Sequence, residues 1–195
     1  MAKVEVQNFH KSINESCYSS EQIAVIWDFY VTHSVASSVS LRREAKDYEQ
    51  KKFPLKEMKC KAEFAEKNDR VLLADSMDRT VEEMEMHTTI GNGNDKRNNP
   101  IDISNPKLIC TTPYTISDTD KPKAKYGEAE SILTHIRNSF AHGNTYFFDN
   151  KMMLLEDKAR GNNGKTTAMI LIRMQTLIDW IKIIDAQGKY YNFPI

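Results

Sequence analysis

The chain has little of what staples or metallates a small protein. Its three cysteines, Cys17, Cys60 and Cys110, are odd in number and widely spaced. That excludes a disulfide framework and points to free thiols in a reducing compartment. Neither they nor the five histidines fall at the paired spacing of a zinc site, so no metal and no cofactor is expected. Long apolar runs are also missing, the longest being about five residues, such as Ile23 to Trp27. The opening MAKVEVQNFHKS holds no apolar h-region. Neither a signal peptide nor a membrane span is therefore expected, and the protein reads as cytoplasmic with no membrane partner. Net charge is lacking too: 27 basic and 27 acidic residues cancel, so no global field draws in nucleic acid.

What the chain does have is size, helical periodicity and an uneven distribution of charge. With 195 residues and 40% hydrophobic content, residues 1–195 read as one domain able to bury a core without staples. Ser19-Ser20-Glu21-Gln22 offers a capping box ahead of Ile23, Ile26, Trp27, Tyr30 and Val31, a helical spacing that predicts a first helix extending to about Gln50. Pro54 interrupts, and Leu55, Met58, Ala62 and Ala65 suggest a second helical stretch. Asn68 or Asp69 can cap a third containing Val71, Ala74, Val81 and Met84, with Gly91 beyond its end. Helices over about 19–90 are a bundle signature. From about 91 to 126 the composition turns to Gly, Asn, Pro, Asp, Thr and Lys without periodicity, which reads as a long connection, either a substrate-contacting loop or a plain surface one.

The segment Gly127 to His142 then reads as an amphipathic helix stopped by Gly143. At about 100° per residue, Ala129, Ile132, Leu133, Ile136 and Phe140 share one arc of about 100°. Arg137, Asn138 and His142 fall on the other side, away from this helix's own core. An always-charged guanidinium can clamp a phosphate, and an imidazole can move a proton near neutral pH. Together they suit metal-free RNA cleavage. Asn138 and His142 stand at i, i+4, so the amide is expected to orient the ring. After Gly143 the period becomes that of strands: Thr145 to Phe148, a turn at Asp149-Asn150, then Lys151 to Leu155 form a hairpin. A turn at Gly161 to Gly164 leads to a third apolar run, Thr166 to Ile172. Thr176 and Asp179 offer a capping box for a last helix with Leu177, Ile178, Ile181 and Ile184, which places the hairpin, sheet and last helix at about 145–186.

The order Arg137, polar Asn138, spacer, His142 on a helix resembles the HEPN superfamily. The run RNSFAHGNTYFF followed by a hairpin and a final helix, over about Gly127 to Ala186, resembles a subgroup known from plasmid-borne bacterial proteins. The resemblance implies a mainly α fold, a HEPN-like helical bundle with a small antiparallel β-hairpin or three-stranded sheet near the C-terminus. It implies a metal-independent endoribonuclease with Arg137, Asn138 and His142 in the site, working as a homodimer whose two-fold axis supplies the second imidazole. Many members belong to toxin–antitoxin or phage-defence systems, so an RNA substrate and an antitoxin or nucleotidyltransferase-type partner are implied with it. Other members are inert, so a non-catalytic RNA-binding or protein-interaction module is the alternative, and an accidental motif in a small all-α protein is a third.

Residues 44–87 hold nine Lys/Arg against twelve Asp/Glu, whereas 121–173 hold nine against five. The basic excess, with Lys121, Lys123, Lys125, Lys151, Lys158, Arg160 and Lys165, thus falls around the motif and reads as either a phosphate-binding face or ordinary solvated surface. His135, near His142 on the wheel, is expected to be exposed, with an auxiliary proton donor as the alternative. Tyr146 is expected to pack the hairpin rather than stack a base. Asp149, Glu156 and Asp157 read as a carboxylate cluster or, since they flank a turn and a loop, as solvated hairpin residues, the latter being the expectation.

Overall fold

The structure, a computed structural model, describes residues 18–64, 71–74, 105–111, 115–116, 123–124, 127–148, 150–158 and 166–193. Helix α1, Ser20–Trp27, starts at Ser19, whose side chain and that of Gln22 form the reciprocal capping box. It does not extend towards Gln50. Its last turn widens into a π-helical turn, Asp28–Thr32, closed by the His33 amide on the Asp28 carbonyl at 2.9 Å. Phe29 and Tyr30, consecutive large rings, are both buried there. A 3₁₀ turn, Ala45–Tyr48, and helix α2, Leu55–Lys61, follow, the latter starting directly after Pro54.

The expected mainly α bundle is not what forms. The chain builds a mixed α/β fold around a five-stranded sheet of order β1-β2-β7-β6-β5, with β1 at Val71–Ala74, β2 at Lys107–Thr111, β5 at Thr145–Phe147, β6 at Met152–Lys158 and β7 at Thr166–Arg173. Strands β1 and β2 run parallel, with Val71 opposite Leu108, and every other pair in this sheet is antiparallel. Two short strands, β3 at Thr115–Ile116 and β4 at Lys123–Ala124, pair separately. Val71 to Ala74, read as part of a third helix, is therefore a strand; Val81, Met84 and Gly91 lie outside the described residues. The 91–126 stretch, read as a connection, contains a strand that pairs on both sides.

Alternation along the strands separates two apolar layers. Leu108, Cys110, Met153, Leu155, Ala168, Ile170 and Ile172 share one buried cluster with the helices. Ile109, Met152, Leu154, Met169 and Leu171 form the other, against which Tyr146 and Phe148 pack. Both faces of these strands are buried, which is why they read as continuous apolar runs. Helix α3, Glu128–Ala141, lies over β6 and against the π turn, where Phe140 meets Tyr30 of that turn and Trp27 at the end of α1 at ring-centroid distances of 6.3 and 6.5 Å. Helix α4, Met174–Ile184, begins two residues before Thr176 and has no capping box; Thr176 is buried within it. The Trp180 indole donates to the Met58 carbonyl at 2.8 Å and the Tyr30 hydroxyl to the Leu177 carbonyl at 2.9 Å, tying α2 and the π turn to α4.

Candidate active site

Helix α3 ends where the sequence predicts. Gly143 takes φ +70°, and the amides of Gly143 and Asn144 reach back to the carbonyls of Phe140 at 3.2 Å and Ser139 at 2.9 Å. This paired C-terminal closure leaves His142 as the exposed cap residue and turns the chain directly into β5. The Glu156 amide holds the carbonyl of Asn144 at 3.0 Å, so the helix exit is fastened to β6.

On the side of α3 opposite its apolar arc, the structure assembles a chain of polar contacts that starts in the sheet. Asp157 has the same strand parity as Met153 and Leu155, so it points at the helical layer rather than at solvent, and it is buried. Its Oδ2 accepts from His135 Nδ1 at 2.7 Å and from Asn138 Nδ2 at 2.9 Å. Asn138 Oδ1 in turn accepts from Arg137 Nη1 at 3.1 Å. The Thr167 hydroxyl donates to the Asp157 carbonyl at 3.2 Å, and the Ser139 hydroxyl to the His135 carbonyl at 2.8 Å.

Three expectations are corrected here. His135 is fully buried and cannot be an exposed auxiliary donor, because Asp157 and the sheet cover it. Asp157 is buried rather than solvated, and Glu156 is half-buried; Asp149 lies outside the described residues. Asn138 spends its amide on Asp157 and Arg137, not on the His142 ring, which makes no hydrogen bond or ion pair among the described residues. Tyr146 packs on the second face of the sheet. Sequence reasoning missed Asp157, and the available signal was a carboxylate continuing the inward series Met153, Leu155.

Arg137 is half-buried, and among the described residues no carboxylate pairs with it. Its Nε is shielded from solvent without a partner. The other orphaned buried polar side-chain atoms among the described residues are Ser131 Oγ, Thr134 Oγ1 and Thr145 Oγ1, so all four belong to α3 or β5. Chemically, a guanidinium held through Nη1 keeps further donors with which to meet an oxyanion. The exposed His142 at the helix end is accessible for proton transfer.

Known proteins offer no guide. Comparison with family models, characterised proteins and solved structures finds no match. Among the described residues no group of three or more His, Cys, Asp or Glu side chains is placed to hold a metal ion, and no helix is long and apolar enough to cross a membrane. Cys60 is a free, exposed thiol; Cys110 is free and buried, and burial pushes its thiol well above the usual range. Cys17, Lys121, Lys125, Arg160 and Lys165 lie outside the described residues, and Lys151 and Lys158 are exposed.

Proposed function

We propose that the protein is an endoribonuclease that cuts by 2′-hydroxyl attack without a metal ion, with Arg137 on the scissile phosphate and His142 moving the proton. The observation that carries this reading is Arg137: a half-buried guanidinium held through Nη1 to Asn138, with no carboxylate paired directly with it among the described residues. Native proteins satisfy most of their buried donors, and a bound oxyanion is one explanation for a donor left without a partner. A phosphodiester oxygen is an acceptor suited to the half-buried guanidinium. As the 2′-oxygen attacks, charge grows on the phosphate oxygens beside Arg137, and the stabilisation is greatest where water is excluded. His142 takes the 2′-hydroxyl proton or delivers one to the leaving 5′-oxygen. One imidazole serves only one of these roles at a time, so the reading includes a homodimer in which a second copy's imidazole serves the other. Resemblance of the Arg137 to His142 segment to the HEPN superfamily supports the same chemistry and suggests a toxin–antitoxin or phage-defence setting.

One observation favours a second reading, a non-catalytic RNA-binding module. Among the described residues the His142 ring has no hydrogen bond to orient it, while Arg137 alone suffices to hold a phosphate. The two readings part on a single assay: purified protein with single-stranded RNA in excess EDTA. The catalytic reading expects cleavage leaving 2′,3′-cyclic phosphate ends. Binding without cleavage selects the module, and activity lost in EDTA and restored by magnesium removes the proposed mechanism.

A further inference from the structure

We infer that Asp157, contributed by the sheet, is a positioning residue for Arg137, acting through Asn138. The inference rests on the reading of Arg137 as the phosphate-holding group. An ionised carboxylate can only accept hydrogen bonds. The Asn138 group facing Asp157 Oδ2 at 2.9 Å must therefore be its NH₂, which leaves the amide oxygen for Arg137 Nη1 at 3.1 Å. Without the carboxylate the amide could rotate and present a donor to a donor. Asp157 thus sets which face of Asn138 the guanidinium meets.

Asp157 is itself firmly held. His135 Nδ1 donates to the same oxygen at 2.7 Å, and Thr167 donates to the Asp157 carbonyl at 3.2 Å. The regular β6–β7 register holds through Asp157, opposite Ala168, and shifts only between Asp157 and Lys158. His135, fully buried, touches no substrate and serves to fix the carboxylate.

The arrangement has a chemical rationale. A carboxylate placed directly on Arg137 would anchor it but would compete with phosphate for the same donors. A neutral amide between them transmits position without placing the negative charge on the guanidinium. Among the described residues only Nη1 of the guanidinium makes a hydrogen bond. On this account the β-layer is part of the site.

The test compares Asn138→Ala and Asp157→Asn, each alone and combined with Arg137→Ala. Single-turnover RNA cleavage in EDTA and binding of the uncleavable 2′-deoxy oligonucleotide are both read. Each single variant is expected to slow cleavage about a hundredfold, the scale of a misplaced catalytic group, and to weaken binding. In the Arg137→Ala background neither should lower the residual rate further, because the group they position is gone. Asn138→Ala leaves the His135–Asp157 pair intact, so its thermal midpoint shows that a loss is not unfolding, even if Asp157→Asn does not fold. A folded Asn138→Ala that cuts and binds like wild type, or losses that multiply with that of Arg137→Ala, overturns the positioning role while leaving the functional reading standing. A wild-type protein that neither cuts nor binds overturns both.

Discussion

At the scale of single residues, Arg137 works against the fold that holds it. A desolvated donor without a partner costs about 1–3 kcal/mol, and Nε of Arg137 is in that position. Arg137→Met keeps an aliphatic stem and removes the orphan. RNA cleavage should disappear, while the thermal midpoint stays level or rises. A midpoint lowered by many degrees would make Arg137 a structural residue. His142 makes no hydrogen bond among the described residues and is exposed, so His142→Ala should leave the midpoint unchanged. Cleavage should fall by about 10²–10⁴-fold, as expected for loss of a general acid or base, with binding of a 2′-deoxy oligonucleotide retained. Equal cleavage by wild type and His142→Ala would remove His142 from the proposed mechanism. That Arg137, Asn138 and His142 lie off the apolar arc of α3 was legible in the sequence because a helix displays its residues at fixed angles. Their support was not legible, because Asp157 lies in another element and its inward direction depends on how β6 pairs.

At the scale of elements, local chemistry was readable and long-range pairing was not. The capping box of Ser19 and Gln22 and the stop at Gly143 involve neighbours in sequence, and both ends of α3 fall within a residue of expectation. Gly143→Ala tests that stop. No atom lies within 4 Å of an added Cβ, so the cost is purely that of φ +70°, about 1–2 kcal/mol for a residue with a Cβ. Urea titration should show that loss without a change in slope, and a loss near zero would mean the turn relaxes into another form. The strands were harder to read. Val71 and Ala74 stand at i, i+3, which suits a helix as well as a strand, and only pairing with Leu108 to Thr111 decides between them. Leu108, Ile109 and Cys110 are all buried, so β2 lacks the alternation that marks a half-exposed strand.

Across the whole molecule, the doubly covered sheet replaced the expected helical bundle and brings acidic groups into poorly solvated places. Burial raises the Glu156 carboxyl above its ordinary value of 4.5, against the lowering pull of Lys158 and of the Tyr146 hydrogen bond. The folded state therefore holds the proton more tightly than the unfolded chain. The corresponding stability is complete below the ordinary carboxylate pKa and is lost as pH rises through the raised value. Glu156→Gln should melt above wild type at pH 7, with the gap closing below pH 4.5. A variant melting lower at pH 7 would mean that the Lys158 contact, 3.7 Å away, outweighs burial. The homodimer in the proposed function is checked by mass in solution: a dimer at micromolar concentration is expected, and a strict monomer removes the second imidazole. Strand order has a further, kinetic consequence. β7 sits between β2 and β6, yet it is the last strand to be synthesised. A nascent chain carries β2 and the β5–β6 hairpin with no strand to join them, and α3 with its Arg137 is made before the sheet beneath it can close. Sheet assembly by such distant pairings is slow, so the sheet beneath Arg137 can close only after β7 has emerged.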